Sequence, residues 1–138
     1  MSIPGFAVLH LGRVVRESIR FALDGDGLTF RGYTVLLCLN GAEALSQREV
    51  ADRIGLDRSD LVAVLDRLEG QGLVRRTIDP ADRRRHLVAI TESGKKVQQR
   101  GRRVVEAATT RALGHLTSAQ QHDLHALAAT ALSTPASR

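Results

Sequence analysis

Residues 73–94 read LVRRTIDPADRRRHLVAITESG. Two apolar runs, Leu73-Val74 on to Ile78 and Leu87 to Ile90, have the aliphatic, β-branched composition of strands. Between them Asp79-Pro80 is a turn signal and Asp82 to Arg85 make a charged tip. The stretch therefore predicts an antiparallel β-hairpin whose fingertip is basic.

Upstream, Leu61, Val64, Leu65 and Leu68 give one apolar stripe to a helix that Asp57 caps and Gly70-Gln71-Gly72 ends. Before it, Ser46-Gln47-Arg48-Glu49 is a capping box that opens a short helix with Val50, Ala51 and Ile54 inward. Gly55 closes that helix and Leu56 fills the turn. Thr29 caps a further helix through Val35, Leu36 and Leu39, which Asn40-Gly41 ends. Helix, turn, helix and basic hairpin predict a mainly α (α+β) fold, a winged helix-turn-helix over residues 29–91 within one domain spanning 1–138.

The two ends are also helical by periodicity. Phe6, Leu9, Val15, Ile19, Ala22 and Leu23 recur at helical spacing over residues 5–24, which stop at Asp24-Gly25-Asp26-Gly27. Thr91 caps a long helix with Val97, Val104, Val105, Ala108, Ala112 and Leu113. Thr117 and Ser118 both offer caps, with Gln120 and Gln121 at the matching third positions, for a last helix with Leu124, Leu127, Ala128, Ala131 and Leu132. A winged helix closes its core without such helices, so segments 5–24 and 92–133 are expected to meet a second copy in a two-fold homodimer. Ser133 to Arg138 are small and polar, and are expected to fray.

Composition narrows the function classes. The chain has 138 residues, a formal charge of +5, three Phe, one Tyr and no Trp, so its core must be aliphatic. Positive charge is informative through its placement: Arg75, Arg76, Arg83, Arg84 and Arg85 crowd one hairpin. The single Cys38 excludes an internal disulfide and suits a reducing cytoplasm. No apolar run approaches the ~20 residues that span a bilayer, and the N-terminus lacks a signal-peptide layout. These features place the protein in the cytoplasm, away from membranes. No Gly-rich phosphate loop, Cys–His pair or metal-ligand run with a general base is visible, so neither an enzyme nor a cofactor is expected.

Asp79-Pro80-x-Asp82-Arg83-Arg84, followed by Leu87-x-x-Ile90-Thr91-x-x-Gly94, resembles the wing signature of the MarR family of bacterial transcriptional regulators. So does Leu65-Asp66-Arg67-Leu68-Glu69-x-x-Gly72-Leu73-Val74-x-Arg76, immediately before it. With the flanking helices the resemblance covers nearly the whole chain. It implies a homodimer on double-stranded DNA. It also implies that Asp82 braces the wing through an ion pair while a following arginine, Arg83 or Arg84, enters the minor groove.

The residues themselves point the same way. Arg58, Ser59, Val62, Ala63, Asp66 and Arg67 face away from the apolar stripe of the recognition helix, with Arg58 and Ser59 in its first turn. An arginine there can hold guanine through two hydrogen bonds. Ser46 and Gln47 open the preceding helix, where N–H groups face phosphate. Arg83, Arg84 and Arg85 suit a narrow, electronegative minor groove. Arg75 and Arg76 read equally as solvated charges or as phosphate contacts, while Asp66 and Glu69 are structural acids for Arg67, Arg76 or backbone. Asp60 departs from the family pattern: an acid here either caps the helix or accepts from a cytosine amino group.

The resemblance implies a sensor for small phenolic or other organic anions, oxidants or metal. Cys38 reads as a small core residue, and the oxidant-sensing members carry theirs in the first helix. His122 and His125 share a helix face with His115 before them, but a metal site needs three or four ligands, so no metal is expected. His10, Arg13 and Arg16 near Tyr33 form the candidate pocket for an aromatic or phenolic anion. The expected function is that of a sequence-specific regulator, a repressor on a palindromic operator. The alternative, kept open by Asp60 and Ala63, is a winged-helix interaction module that has lost specific DNA binding.

Overall fold

A computed structural model describes residues 3–133. Six helices and three short strands follow in the order α1 (Pro4–Gly25), α2 (Phe30–Leu39), β1 (Leu45–Ser46), α3 (Gln47–Ile54), α4 (Arg58–Gly70), β2 (Val74–Asp79), β3 (Asp82–Ile90), α5 (Glu92–Ala112) and α6 (Ser118–Ser133). Ser133 completes α6, and the rest of the expected fraying tail lies outside the described residues.

Local chemistry sets these boundaries. The hydroxyls of Thr29, Ser46 and Thr91 accept from the N–H groups of Gly32, Glu49 and Gly94, and the Asp57 carboxylate accepts from that of Asp60. Each satisfies a donor that a helix start leaves without an intrahelical partner. The last helix uses Thr117 rather than Ser118: its hydroxyl accepts from Gln120 N–H, and Gln120 Oε1 accepts in return. Gly55 ends α3 at φ 71°, a left-handed turn that other residues rarely adopt, and aims α4 across α3.

Leu36, Leu61, Leu65, Val50 and Val88 are sealed from solvent where α2, α3 and α4 close over the sheet. The sheet has one strand beyond the expected hairpin. β1 pairs antiparallel with β3, Leu45 with Val88 and Ser46 with Leu87, giving the order β1-β3-β2. A two-residue strand has too little pattern to show in sequence. The wing is thereby bonded at its root to the two residues that lead into α3.

Glycine permits two close approaches that lock α5 to this lobe. A Cβ on Gly94 would lie 2.1 Å from the carbonyl oxygen of Leu73, and one on Gly101 would lie 2.8 Å from the ring of Tyr33. Thr91 adds a hydrogen bond from its hydroxyl to the carbonyl of Gly72 at 2.7 Å. α1 lies along α5, with the Ser18 hydroxyl donating to Ala108 O, yet it buries only Leu23, and α6 buries no residue.

A candidate nucleic-acid interface

The wing departs from the expected hairpin in a way that matters for its arginines. From Val74–Ile90 to Ile78–His86 the ladder is regular, but the next residue, Asp79, pairs with Asp82. Arg83, Arg84 and Arg85 therefore bulge out of β3 with no partner on β2. The turn proper is only Pro80-Ala81, held by Asp79 Oδ1 accepting from Ala81 N–H. The arginines are thus presented by a bulge in the strand rather than by a loop tip, because the extra residues must leave the ladder.

Within the bulge the three arginines are not equivalent. Arg85 bonds Glu49 of α3 and lies 3.8 Å from Asp79. Glu49 also serves the capping box, so one carboxylate holds both the start of α3 and the wing. The Ser46 hydrogen bonds, with Arg85 adding to them, keep its carboxyl below the usual glutamate range. Asp82 makes no ion pair among the described residues; it accepts from Arg84 N–H at 3.0 Å. The bracing role expected of Asp82 thus falls to Arg85, because the bulge turns that guanidinium back toward α3. Arg83 and Arg84 are exposed and have no acidic partner among the described residues.

On α4, Arg58, Ser59, Val62, Ala63, Asp66 and Arg67 all lie on the exposed face, and Leu61, Leu65 and Leu68 on the buried one. Ser59 donates to the capping carboxylate of Asp57. Asp60 faces Arg31 of α2 at 3.8 Å, so it neither caps the helix nor stands free. Arg76, a candidate phosphate contact, donates to Asp66 at 2.6 Å and to Glu69 at 2.9 Å, and its side chain is only 19% exposed. It ties the root of the wing to α4, with both carboxylates drawing on its Nη2. Ser46 is likewise corrected: it is 4% exposed and its N–H is engaged by Glu49, which leaves Gln47 at the exposed start of α3.

Gln47, Arg58, Val62 and Arg84 line one groove of about 810 Å³ between α3, α4 and the wing. Arg48 and Arg85 line it too, against Glu49, Asp52 and Asp82, so its arginines outnumber its acids only four to three. With Glu49 engaged by Arg85 and two helix starts beside it, the groove has a modest bias toward an anion.

The expected anion pocket does not assemble. Tyr33 is 6% exposed in the core against Gly101, where burial pushes its phenol up. Arg13 donates to Nδ1 of His10 on the outer surface of α1. Arg16 reaches α2 instead, its guanidinium 5.1 Å over the ring of Phe30. Helical phase separates the four residues, since Tyr33 turns inward, His10 and Arg13 pair on the outside of α1, and of the three α1 residues Arg16 is the one that meets α2. A groove of about 390 Å³ lies elsewhere, between α2 and α4, with Leu28, Phe30 and Val64 as apolar walls and Arg20, Arg31 and Arg67 at its edges.

Cys38 is half-buried, and burial raises its thiol despite the nearby Arg53. His115, His122 and His125 are exposed. Among the described residues no three His, Cys, Asp or Glu side chains group as metal ligands, and no helix is long and apolar enough to cross a membrane.

The MarR family profile matches residues 26–85. The HTH-type transcriptional repressor Rv2887 of Mycobacterium tuberculosis is 30% identical over 119 residues, 86% of either chain. Its DNA complex superposes with a TM-score of 0.83 at 27% identity, covering 97% of this chain and 100% of that one. Rv2887 is also solved with p-aminosalicylic acid. A MarR-family transcriptional regulator from Rhodococcus sp. RHA1 has a TM-score of 0.80 at 35% identity, covering 89% and 87% of the two chains. CouR from Rhodococcus jostii RHA1, bound to p-coumaroyl-CoA, is 35% identical with a TM-score of 0.77 over 99% and 96%. The hairpin motif, the fold and these likenesses together show that the chain belongs to the MarR family of transcriptional regulators.

Proposed function

We propose that the protein is a cytoplasmic repressor that occupies a palindromic operator as a homodimer and leaves it when an organic anion binds. The observation that carries the reading is the placement of unpaired cations. Arg83 and Arg84 are thrown out of the wing by the bulge, Arg58 stands at the start of α4, and every acid nearest them on α4 is engaged. Phosphate contacts by Gln47 and the wing position α4, whose exposed face enters the major groove. Each wing reaches the flanking minor groove with Arg83 and Arg84, while Arg85 holds the wing at its angle.

Dimerisation follows from what α1 and α6 leave uncovered. Phe6 is 60% exposed, Leu9 70% and Leu127 69%, far from any face that the lobe needs to close. A second copy covers them and sets the two α4 helices about one turn of DNA apart, roughly 34 Å.

For the anion, the groove between α2 and α4 replaces the pocket expected at His10, Arg13, Arg16 and Tyr33. A carboxylate there meets Arg20, Arg31 or Arg67, and an aromatic ring packs on Phe30 and Val64. Arg31 also faces Asp60 on α4, so an anion that draws on Arg31 alters the charge balance of the recognition helix. The p-aminosalicylic acid complex of Rv2887 supports this class of ligand.

Replacing Arg83 and Arg84 together by Ala tests the DNA reading. Affinity is expected to fall and the slope of log affinity against log salt to shrink by about two, one per lost phosphate-neutralising cation. An unchanged slope would show that the wing does not touch DNA.

A further inference from the structure

We infer that each operator half-site is read as a guanine with a thymine one or two base pairs away, Arg58 taking the guanine and Val62 the thymine methyl. The inference rests on the DNA-binding reading above and adds which bases the protein recognises.

It begins with what α4 has left to offer. Its exposed polar side chains are largely spoken for: Ser59 donates to Asp57, Asp60 faces Arg31, and Asp66 holds Arg76. Asp60 is therefore not the group that accepts from a cytosine. In the first two turns the free hydrogen-bonding group is Arg58, whose paired N–H donors match O6 and N7 of guanine.

Val62 lies one turn further on. It is 37% exposed, although Leu61, Leu65 and Leu68 fill the core side of the helix without it. A β-branched residue is a poor choice for an exposed helix position unless something covers it. Its surroundings say what covers it. Val62 is set among polar and charged side chains: Gln47 and the unpaired guanidiniums of Arg58 and Arg84 lie in its groove, with Glu49, which Arg85 engages, and Asp52 and Asp82 at its edges, a setting that suits DNA rather than an apolar protein face. In the major groove the apolar group on offer is the 5-methyl of thymine. Four residues of helix advance about 6 Å, and base pairs are stacked about 3.4 Å apart. The two contacts therefore fall one or two base pairs from each other.

Duplexes enriched by the full-length protein from a randomised pool supply the test. The expected result is a guanine with thymine one or two base pairs away in each half. Uracil at that thymine, which removes only the methyl, should weaken binding about fourfold, the worth of one methyl taken from water. Replacing the guanine by 7-deazaguanine should weaken it about tenfold. Val62→Ser should bind the thymine and uracil duplexes alike, and circular dichroism checks that it is folded. Wild-type protein indifferent to uracil at every position overturns the inference, and so does a uracil penalty that persists in Val62→Ser. If no duplex is enriched at all, the DNA-binding reading itself fails. Those results need only wild-type protein, apart from the Val62→Ser comparison.

Discussion

The winged lobe and the terminal helices spend their apolar residues in opposite ways. In the lobe, Leu36, Leu61, Leu65 and Val88 are sealed inside while the arginines of β3 stand outside. In α1 and α6, Phe6, Leu9, Leu127 and Leu132 face outward, and α6 buries nothing. The first region has the pattern of a unit that folds alone, the second that of a unit folding against a partner. Stability of the lobe and assembly of the dimer should therefore be separable by mutation.

The sharpest way to separate them is Phe6→Asp with Leu9→Asp. Both side chains are exposed, so the lobe should keep its fold while the dimer dissociates in sizing experiments. Operator affinity should then drop about 100-fold or more, because the second half-site no longer binds intramolecularly. A dimer that survives both charges would place the interface elsewhere.

Gly94→Ala attacks the other region. Its methyl would meet backbone at Leu73 and the Ile90 side chain at 2.7 Å, and neither wall is the free end of a flexible chain. We expect about 3 kcal/mol of lost stability, with a thermal midpoint about 10 °C lower. Ser46→Ala is milder. It removes the cap of α3 and loosens Glu49, so about 1 kcal/mol should be lost, read as a lower urea midpoint at unchanged slope.

The smallest effect is on pH dependence, and it again belongs to the lobe. Arg76 holds Glu69, and the Ser46 bonds hold Glu49, below the usual glutamate range. Their folded pKa values lie below the unfolded ones, so their contribution is full at neutral pH. It is lost as pH falls through the lowered values. Glu69→Gln and Glu49→Gln should flatten acid unfolding over that window and leave the pH dependence near neutrality unchanged.

Signals carried by near neighbours in the chain were legible. Thr29, Ser46, Asp57 and Thr91 each announce a helix start and each accepts the expected N–H, and the hairpin lies where Asp79-Pro80 puts its turn. Features depending on partners far along the chain were not. Arg85 bonds Glu49 across 36 positions, and nothing local says that it braces rather than binds. Arg76 had two local readings, a phosphate contact or a partner for Asp66 and Glu69, and only β2, by bringing it against both carboxylates, decided for the second. The candidate anion pocket failed for the same reason, since the side of α2 that faces α1 depends on how α5 packs beneath Tyr33.

Taken alone, the chain's order of residues determined its helices, its hairpin and the family it belongs to, because caps, turns and apolar periodicity act within a few residues. Tertiary packing decided which arginines are left to meet DNA and where an anion could sit. Both depend on which charges come within a few ångströms of each other, and that distance exists only after the elements have packed.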